Sequence, residues 1–159
     1  MRFLKFFLVP ALSLLCAFNS GAQIKQSLTS PDGNIKVEVT LAGGISYDVY
    51  RGDELVLDRC RLSMDLSGNV LGSTPKLQKA TRRTVNEIKK PFLHLKYAEV
   101  PNHFNELNLK FKGGYSVIFR AYDDGIAYRF VNKNKKPFKV VKEGVDFNFP
   151  FDVTAHVPY

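Results

Sequence analysis

Residue types that commonly carry catalysis or covalent cross-links are scarce in this sequence. It has no tryptophan, three histidines and two cysteines in 159 residues. His94, His103 and His156 stand too far apart to match the ligand spacing of a metal site. No nucleophile elbow, P-loop, dinucleotide fingerprint or calcium-binding loop occurs either. The short motifs of hydrolases, nucleotide-binding proteins and calcium sensors are therefore absent, and no catalytic residue, metal ligand or cofactor is predicted in this chain.

The first 22 residues have the three parts of a secretory signal peptide. Arg2 and Lys5 supply the positive charge, residues 6–17 form an apolar segment too short to span a bilayer, and residues 20–22 are small, as a signal peptidase requires. We therefore divide the chain into a signal peptide, 1–22, and a domain, 23–159. The mature protein is expected to begin at Gln23, to be exported to the periplasm and to have no membrane contact after cleavage.

Removal of this leader leaves Cys60 as the only cysteine, which excludes an intramolecular disulfide in the mature chain. Lipidation of Cys16 is not expected, because Leu15 stands where a small residue is needed. The mature chain keeps 21 basic and 15 acidic residues, a net charge of +6. The basic residues are dispersed instead of gathered in one stripe, so nucleic acid is not a predicted partner.

Alternation of apolar and polar residues predicts an all-β fold, and no window has a sustained helical period. The clearest strand is 35–41, in which every second residue is Ile, Val or Leu. Closely spaced strands with Gly and Pro between them indicate an antiparallel β-sandwich that begins with a four-stranded meander. The predicted strands are 26–30, 35–41, 45–51, 55–57, 61–66, 76–89, 92–97, 107–111, 138–141 and 145–149, with loops at 67–75 and 99–103.

The strongest hairpin signal is Asp123-Asp124-Gly125, which lies within residues 115–131. An Asp-Gly pair favours a type I′ turn, and a two-residue loop at Asp124-Gly125 would pair Ala121 with Tyr128. One face of this hairpin is then predicted to be core. It carries Val117, Phe119, Ala121, Tyr128 and Phe130.

The opposite face of the predicted hairpin places Arg120 directly across from Arg129. Like charges at opposed positions destabilise a sheet unless an acidic group lies nearby. A carboxylate of the same or a neighbouring domain is one explanation, and contact with an anion or a sugar is the other. Both arginines are therefore candidates for a substrate contact or a domain interface.

Glu99 and Glu106 are the other site candidates, because they flank a predicted loop around residues 101–104 that would be able to face a ligand. The alternative is that both are solvated loop acids. The adjacent pair Asp123-Asp124 is a poor glycosidase pair, since the turn explains both residues and neighbouring positions do not straddle a sugar.

Three segments resemble the N-terminal domain of glycoside hydrolase family 97. They are LTSPDGNIKVEV at 28–39, NHFNELNLKF at 102–111 and FRAYDDGIAYRF at 119–130, and their order and spacing also match. The resemblance extends over essentially the whole chain after the leader. It implies an exported glycosidase for α-glucosides or α-galactosides, with calcium in the active site. Such an enzyme has an N-terminal super-sandwich of the galactose-mutarotase type, a catalytic (β/α)₈ barrel and a small C-terminal β domain.

In this family the catalytic glutamates and most calcium ligands belong to the barrel, and one further glutamate comes from beyond Tyr159, so none matches a residue of this chain. Calcium is thus expected only in a full-length parent, and the sandwich is expected to be incomplete. Two functions remain open. The chain is either a structural part that supports the barrel of a parent enzyme, or a stand-alone exported carbohydrate-binding module. Tyr50 and Tyr122 are the tyrosines that the alternation places outside the core, where a sugar would need them.

Overall fold

The computed structural model describes residues 23–92, 97–133 and 137–154. Within these ranges every strand pairing is antiparallel, and no helix is long and apolar enough to cross a membrane. The strands are β1 Ile24–Thr29, β2 Ile35–Leu41, β3 Ile45–Arg51, β4 Glu54–Asp65, β5 Val70–Leu71, β6 Leu77–Lys89, β7 Val100–Phe111, β8 Tyr115–Tyr122, β9 Gly125–Asn132 and β10 Lys142–Val145.

The strands form two sheets that pack face to face. Sheet A has the order β1-β2-β3-β4-β10, with β5 paired to β4, and sheet B has the order β6-β7-β8-β9. The first four strands are the predicted meander, and β6 is the strand predicted at 76–89. The all-β sandwich predicted from the alternation is therefore confirmed.

The core lies between the two sheets and is built by the alternating residues that the sequence marks as apolar. On sheet A, Val37 pairs with Val49 and Val39 pairs with Tyr47, so these side chains share the inner face. Tyr47 is fully buried, and its ring centroid lies 5.9 Å from Phe119 and 6.3 Å from Tyr128 of sheet B. This aromatic cluster joins the sheets at their centre.

The turn after β1 joins the sheets at one end of the sandwich. The backbone N–H of Asp32 donates a hydrogen bond of 3.0 Å to Oδ1 of Asp123, in the turn between β8 and β9. The carboxylate of Asp32 accepts hydrogen bonds from the Ser30 hydroxyl and, at 2.9 Å, from the backbone N–H of Asn34. The Ser30 bond is the main reason that the pKa of Asp32 is lowered. The β1–β2 turn and the β8–β9 turn, which are far apart in sequence, are therefore hydrogen-bonded to each other.

The predicted turn of the β8–β9 hairpin is wrong by one position. Tyr122 pairs with Gly125 and Phe119 with Tyr128, so the two-residue loop is Asp123-Asp124. None of these loop residues nor Gly125 has a positive φ, which excludes the predicted type I′ turn. The actual register differs from the predicted one by two residues, and a shift of two keeps every side chain on its face. The predicted core face is therefore correct although its pairing is not.

The strands predicted at 55–57 and 61–66 are one strand, β4, interrupted by a bulge. The register to β3 shifts between the Tyr47 and Val49 pairs, and Arg59 has a φ of 47°. Cys60, beside it, is fully buried, as expected of a small packing residue. The extra residue bends the strand without ending it.

Other predicted boundaries are also wrong. The loop predicted at 99–103 belongs mostly to β7, because β6 is long enough to pair with it as far as Val100. The strand predicted at 138–141 is not formed, and the one predicted at 145–149 is formed only at Val145, where β10 ends. The loop predicted at 67–75 contains the short strand β5. The strand predicted at 92–97 lies largely outside the described residues.

Candidate functional site

The outer face of sheet B, which points away from the core, carries three of the four predicted site residues. Strand pairing arranges this face in rows that run across β6, β7, β8 and β9. The first row is Val85, Phe104, Tyr122 and Gly125; the second is Arg83, Glu106, Arg120 and Ala127; the third is Thr81, Asn108, Ile118 and Arg129.

Glu106 forms the centre of the site, with one arginine on each side. Its Oε1 accepts a hydrogen bond of 2.7 Å from Nε of Arg83, and its Oε2 accepts bonds from Nη2 of Arg83 at 3.0 Å and Nε of Arg120 at 2.9 Å. Glu106 is only 5% exposed. A carboxylate this buried needs charged partners to remain ionised, and the two guanidinium groups meet that need.

These contacts lower the pKa of the Glu106 carboxyl. The hydrogen bond from Arg83 is the largest cause, burial acts in the opposite direction, and the bond from Arg120 adds to the lowering. Glu106 is therefore a stable anion near neutral pH. It is also mid-strand in β7, so the hypothesis that it is a solvated loop acid is wrong.

The two predicted arginines share this face but are not opposite each other. Arg120 is across from Ala127, and Arg129 is across from Ile118, so the arginines are diagonal neighbours. Arg120 has its carboxylate partner in Glu106. The Arg129 side chain is exposed and makes no ion pair or hydrogen bond with any described residue. The predicted like-charge pair is thus separated by the actual register, and only one of its members is neutralised.

Apolar and aromatic groups surround these charges. The Arg120 guanidinium carbon lies 4.3 Å from the ring centroid of Phe104, a cation–π distance, and the Phe104 and Tyr122 rings are 5.1 Å apart. Phe104 and Ile118 are buried although they point away from the core. Tyr122 is therefore packed on its neighbour and does not present both ring faces to solvent.

A small groove lies between the two arginines on β8 and β9. Its volume is about 100 Å³, and Ile118, Arg120, Tyr122, Ala127 and Arg129 are among the residues that line it. Ala127 leaves the space open, because a longer side chain at that position would fill the gap beside Arg120. The groove is much smaller than the pockets of about 300–1,000 Å³ that enclose small-molecule ligands.

Glu99 does not belong to this site. It lies just before β7, is exposed, and has the Lys90 ammonium 3.8 Å from its carboxylate. No group of three or more His, Cys, Asp or Glu side chains in residues 23–92, 97–133 and 137–154 is arranged to hold a metal ion.

Arg83 is the functional candidate that sequence reasoning missed. It contributes two of the three hydrogen bonds to Glu106, but it lies in β6, whose alternation is weak. The length of β6 was the feature of the sequence from which Arg83 could have been found. If 77–89 and 100–111 are paired as one long hairpin, Arg83 falls directly opposite Glu106.

A larger cleft of about 410 Å³ opens at the end of the sandwich, beside the joined turns. Tyr50, Arg51, Asp123 and Asp124 supply its polar groups, and Ile35, Val49, Val56 and Ile126 are among its apolar walls. The ring of Tyr50 has the Lys36 ammonium 4.4 Å from its centroid, so one ring face is occupied.

Comparison with known proteins places the fold and the sequence in one family. The family model described as Glycosyl-hydrolase 97 N-terminal matches residues 28–159. A retaining alpha-galactosidase of Bacteroides thetaiotaomicron is 45% identical over 150 residues, which cover 93% of this chain and 22% of that enzyme. The chain thus spans about a fifth of the length of this relative.

Solved structures agree. A Glycoside Hydrolase Family 97 enzyme from Pseudoalteromonas sp. strain K8, in complex with panose, superposes with a TM-score of 0.68 at 24% identity, over 79% of this chain and 20% of that one. A beta-arabinopyranosidase superposes with a TM-score of 0.70 at 20% identity, over 79% of this chain and 21% of that one. At these identities the structures show a shared fold alone. Because the family model covers most of the sequence, the chain belongs to the glycosyl-hydrolase 97 N-terminal family.

Proposed function

We propose that this chain is the N-terminal β-sandwich of an exported family 97 glycoside hydrolase and that it supports the catalytic domain of that enzyme. The motivation for export is the signal-peptide pattern of residues 1–22. The motivation for the parent activity is the 45% identity to a retaining alpha-galactosidase, of which the chain covers 22%. We therefore propose α-galactosides as the substrate class of the parent, with α-glucosides as the alternative. Calcium, if the parent needs it, would be bound by the rest of that enzyme.

The observation that carries the supporting role is a strip of exposed apolar residues after β10. We call Phe147, Phe149, Phe151 and Val153 the apolar strip. Each is more than 40% exposed, and Phe147 reaches 61%. A series of large apolar side chains left in water is typical of a surface that another protein part covers. Full burial of each would contribute about 1.5–3 kcal/mol.

One residue within this segment, Asn148, is hydrogen-bonded to β4. The carbonyl of Asn148 accepts a hydrogen bond of 2.9 Å from the backbone N–H of Asp58, and its own N–H donates to Sγ of Cys60 at 3.3 Å. Its side-chain amide also donates to the carbonyl of Arg59 at 3.4 Å. These bonds hold Asn148 beside the bulge in β4, and the flanking residues Phe147 and Phe149 are both exposed.

The Glu106 carboxylate gives no support to catalysis by this chain. A glycosidase needs a carboxylic acid whose pKa is raised so that it can protonate the leaving group. Glu106, the most buried acid, has its pKa lowered and both of its oxygens occupied by arginine. It cannot act as a general acid in this state.

A chimeric enzyme tests the proposal. Residues 23–159 replace the matching portion of the Bacteroides thetaiotaomicron retaining alpha-galactosidase. We expect the chimera to hydrolyse 4-nitrophenyl α-galactoside and to melt in one transition. Replacing Phe147 and Phe149 by Ser should lower the thermal midpoint of the chimera. Replacing Ile24 and Val70 by Ser, exposed apolar residues elsewhere on sheet A, should not. The proposal is overturned if the enzyme without any N-terminal portion is as stable and active as the chimera.

Carbohydrate binding is the second candidate function, and the cleft beside the joined turns favours it. The cleft combines the Tyr50 ring with the polar groups of Arg51, Asp123 and Asp124, and sugars bind to such mixtures of aromatic and polar groups. Calorimetry with maltotriose and with galactobiose tests it. Binding that weakens at least tenfold in Asp124→Ala would support this function, and no detectable binding at millimolar sugar would exclude it.

A further inference from the structure

We propose that the groove between Arg120 and Arg129 receives a carboxylate side chain from the catalytic part of the same enzyme. This inference rests on the proposed function, because it names the group that the partner inserts and the place where it docks. It concerns the outer face of sheet B, whereas the apolar strip follows β10 in sequence.

The first argument is charge. Arg83, Arg120 and Arg129 lie on the same face, where Glu106 pairs with Arg83 and Arg120 and Glu87 pairs with Lys89, so Arg129 is left without an ion-pair partner among the described residues. Both oxygens of Glu106 are already engaged by Arg83 and Arg120, and Arg129 has no described partner. Diagonal residues on adjacent strands lie about 7–8 Å apart, close enough for two long side chains to hold one anion between them. Arginine is well suited to this, because its guanidinium can hold a carboxylate through two parallel hydrogen bonds.

The second argument is the shape of the groove. Its volume of about 100 Å³ corresponds to about three water molecules at roughly 30 Å³ each. That volume accommodates the end of an Asp or Glu side chain, while a pyranose ring would need a larger pocket. Ile118 and Tyr122 line the groove and offer apolar contact for the methylene groups of such a side chain.

The third argument is position. The groove lies on β8 and β9, and β9 is the strand of sheet B that faces β10 across the side of the sandwich. The Tyr128 hydroxyl of β9 donates a hydrogen bond of 3.0 Å to Oε1 of Glu143 in β10. Burial, and secondarily Glu143, raises the pKa of Tyr128 to about 12, so this hydroxyl keeps its proton. The apolar strip follows β10 directly. The groove and the apolar strip therefore belong to elements that meet at the same edge of the sandwich, β9 and β10.

Charge reversal in two contexts tests the inference. Arg129→Glu is introduced into the chimeric enzyme and, separately, into the chain by itself. We expect the thermal midpoint of the chimera to fall by about 3 °C or more, and this loss to shrink in 1 M NaCl, where exposed ion pairs are screened. Arg129→Lys should keep most of the midpoint. In the chain by itself, Arg129→Glu should leave the midpoint unchanged.

The control is Lys25→Glu, the same charge reversal at an exposed position of β1. This strand is the edge of sheet A that lies farthest from β10. It should leave both proteins unchanged. An Arg129→Glu chimera that melts like the Lys25→Glu chimera overturns this inference and leaves the proposed function intact. An equal loss in the chain by itself also overturns it, because the arginine would then act within the domain. A chimera that does not fold even with Arg129 in place overturns the proposed function.

Discussion

At the scale of the residue, Glu106 is an acidic side chain that stabilises the fold. Its neighbours Arg83 and Arg120 reach it from the two adjacent strands, at 2.7 and 2.9 Å. Removing a buried charge partner is usually more damaging than the net stability of the pair suggests, since the remaining groups lose their compensation. This carboxylate therefore fixes the relative positions of β6, β7 and β8 on the outer face.

We expect Glu106→Gln to lower the free energy of unfolding by about 1–3 kcal/mol at pH 7. The folded-state pKa of Glu106 lies below its ordinary value of 4.5, so the ionised form stabilises the fold above that pH. As the pH falls through the folded-state pKa, the wild-type carboxylate becomes protonated and this contribution is lost. Denaturant titrations of both proteins should show a constant difference from pH 6 to 8 and a shrinking one below pH 4.5. A difference independent of pH down to 3 would contradict the ion-pair account.

Substitution of two phenylalanines, one in the core and one in the apolar strip, distinguishes the core from the proposed docking surface. Phe119 is fully buried, whereas Phe147 is largely exposed. Phe119→Ala should lower the free energy of unfolding by about 3–5 kcal/mol, because it removes the centre of the aromatic cluster. Phe147→Ala should change that free energy by less than about 0.5 kcal/mol in the chain by itself. Chemical denaturation measures both, and a large loss in Phe147→Ala would show that the strip packs within the domain.

At the scale of the element, the strands of the meander were predictable, and the turn of the β8–β9 hairpin was not. Side-chain alternation in β2 and β3 determines which residues are buried, and it needs no knowledge of the partner strand. The β8–β9 turn depends on tertiary contact, because Asp123 accepts a hydrogen bond from the backbone of Asp32, 91 residues away. No local pattern contains that information. The site followed the same division. Arg120 and Glu106 were candidates, but their pairing requires the β7–β8 register, and the second partner of Glu106, Arg83, requires the register of the long β6–β7 hairpin.

Two glycines test this description of the turns. Gly72 has a φ of +86°, and a Cβ added there would lie 2.7 Å from the carbonyl oxygen of Leu62. Gly72→Ala should therefore lower the free energy of unfolding by about 1–3 kcal/mol from backbone strain, with a further loss from the clash. Gly125 has neither a positive φ nor any atom within 4 Å of such a Cβ. Gly125→Ala should be neutral or stabilising by up to about 1 kcal/mol. Thermal melts of both variants measure these changes in stability. A strongly destabilised Gly125→Ala would indicate that the hairpin has a type I′ turn after all.

At the scale of the whole molecule, the sandwich has one well-packed interior and one side that remains apolar. The interior is closed by both sheets, while the apolar strip beyond β10 stays in contact with water. The sequence predicted a strand at 145–149, but it was not able to show that Phe147 and Phe149 are exposed. After β10 the chain instead contacts β4 through Asn148, which hydrogen-bonds to Arg59 and Cys60, while Phe147 and Phe149 are exposed.

We expect the chain by itself to bind a hydrophobic dye because of this strip. The double variant Phe147→Ser with Phe149→Ser should reduce the fluorescence of bound 1-anilinonaphthalene-8-sulfonate several-fold without lowering the thermal midpoint. The control pair Ile24→Ser with Val70→Ser, drawn from exposed positions of sheet A, should leave most of the signal. Equal reductions in both double variants would show that the dye does not recognise the strip.

The most direct test of the central claim is an assay of residues 23–159 alone beside the chimeric enzyme. Both proteins are given 4-nitrophenyl α-galactoside and 4-nitrophenyl α-glucoside, with and without calcium. The account predicts turnover by the chimera and none above background by the chain alone, because the chain supports a catalytic domain and does not supply its acids. Turnover by the chain alone that disappears on replacing a single Asp or Glu within it would contradict the account.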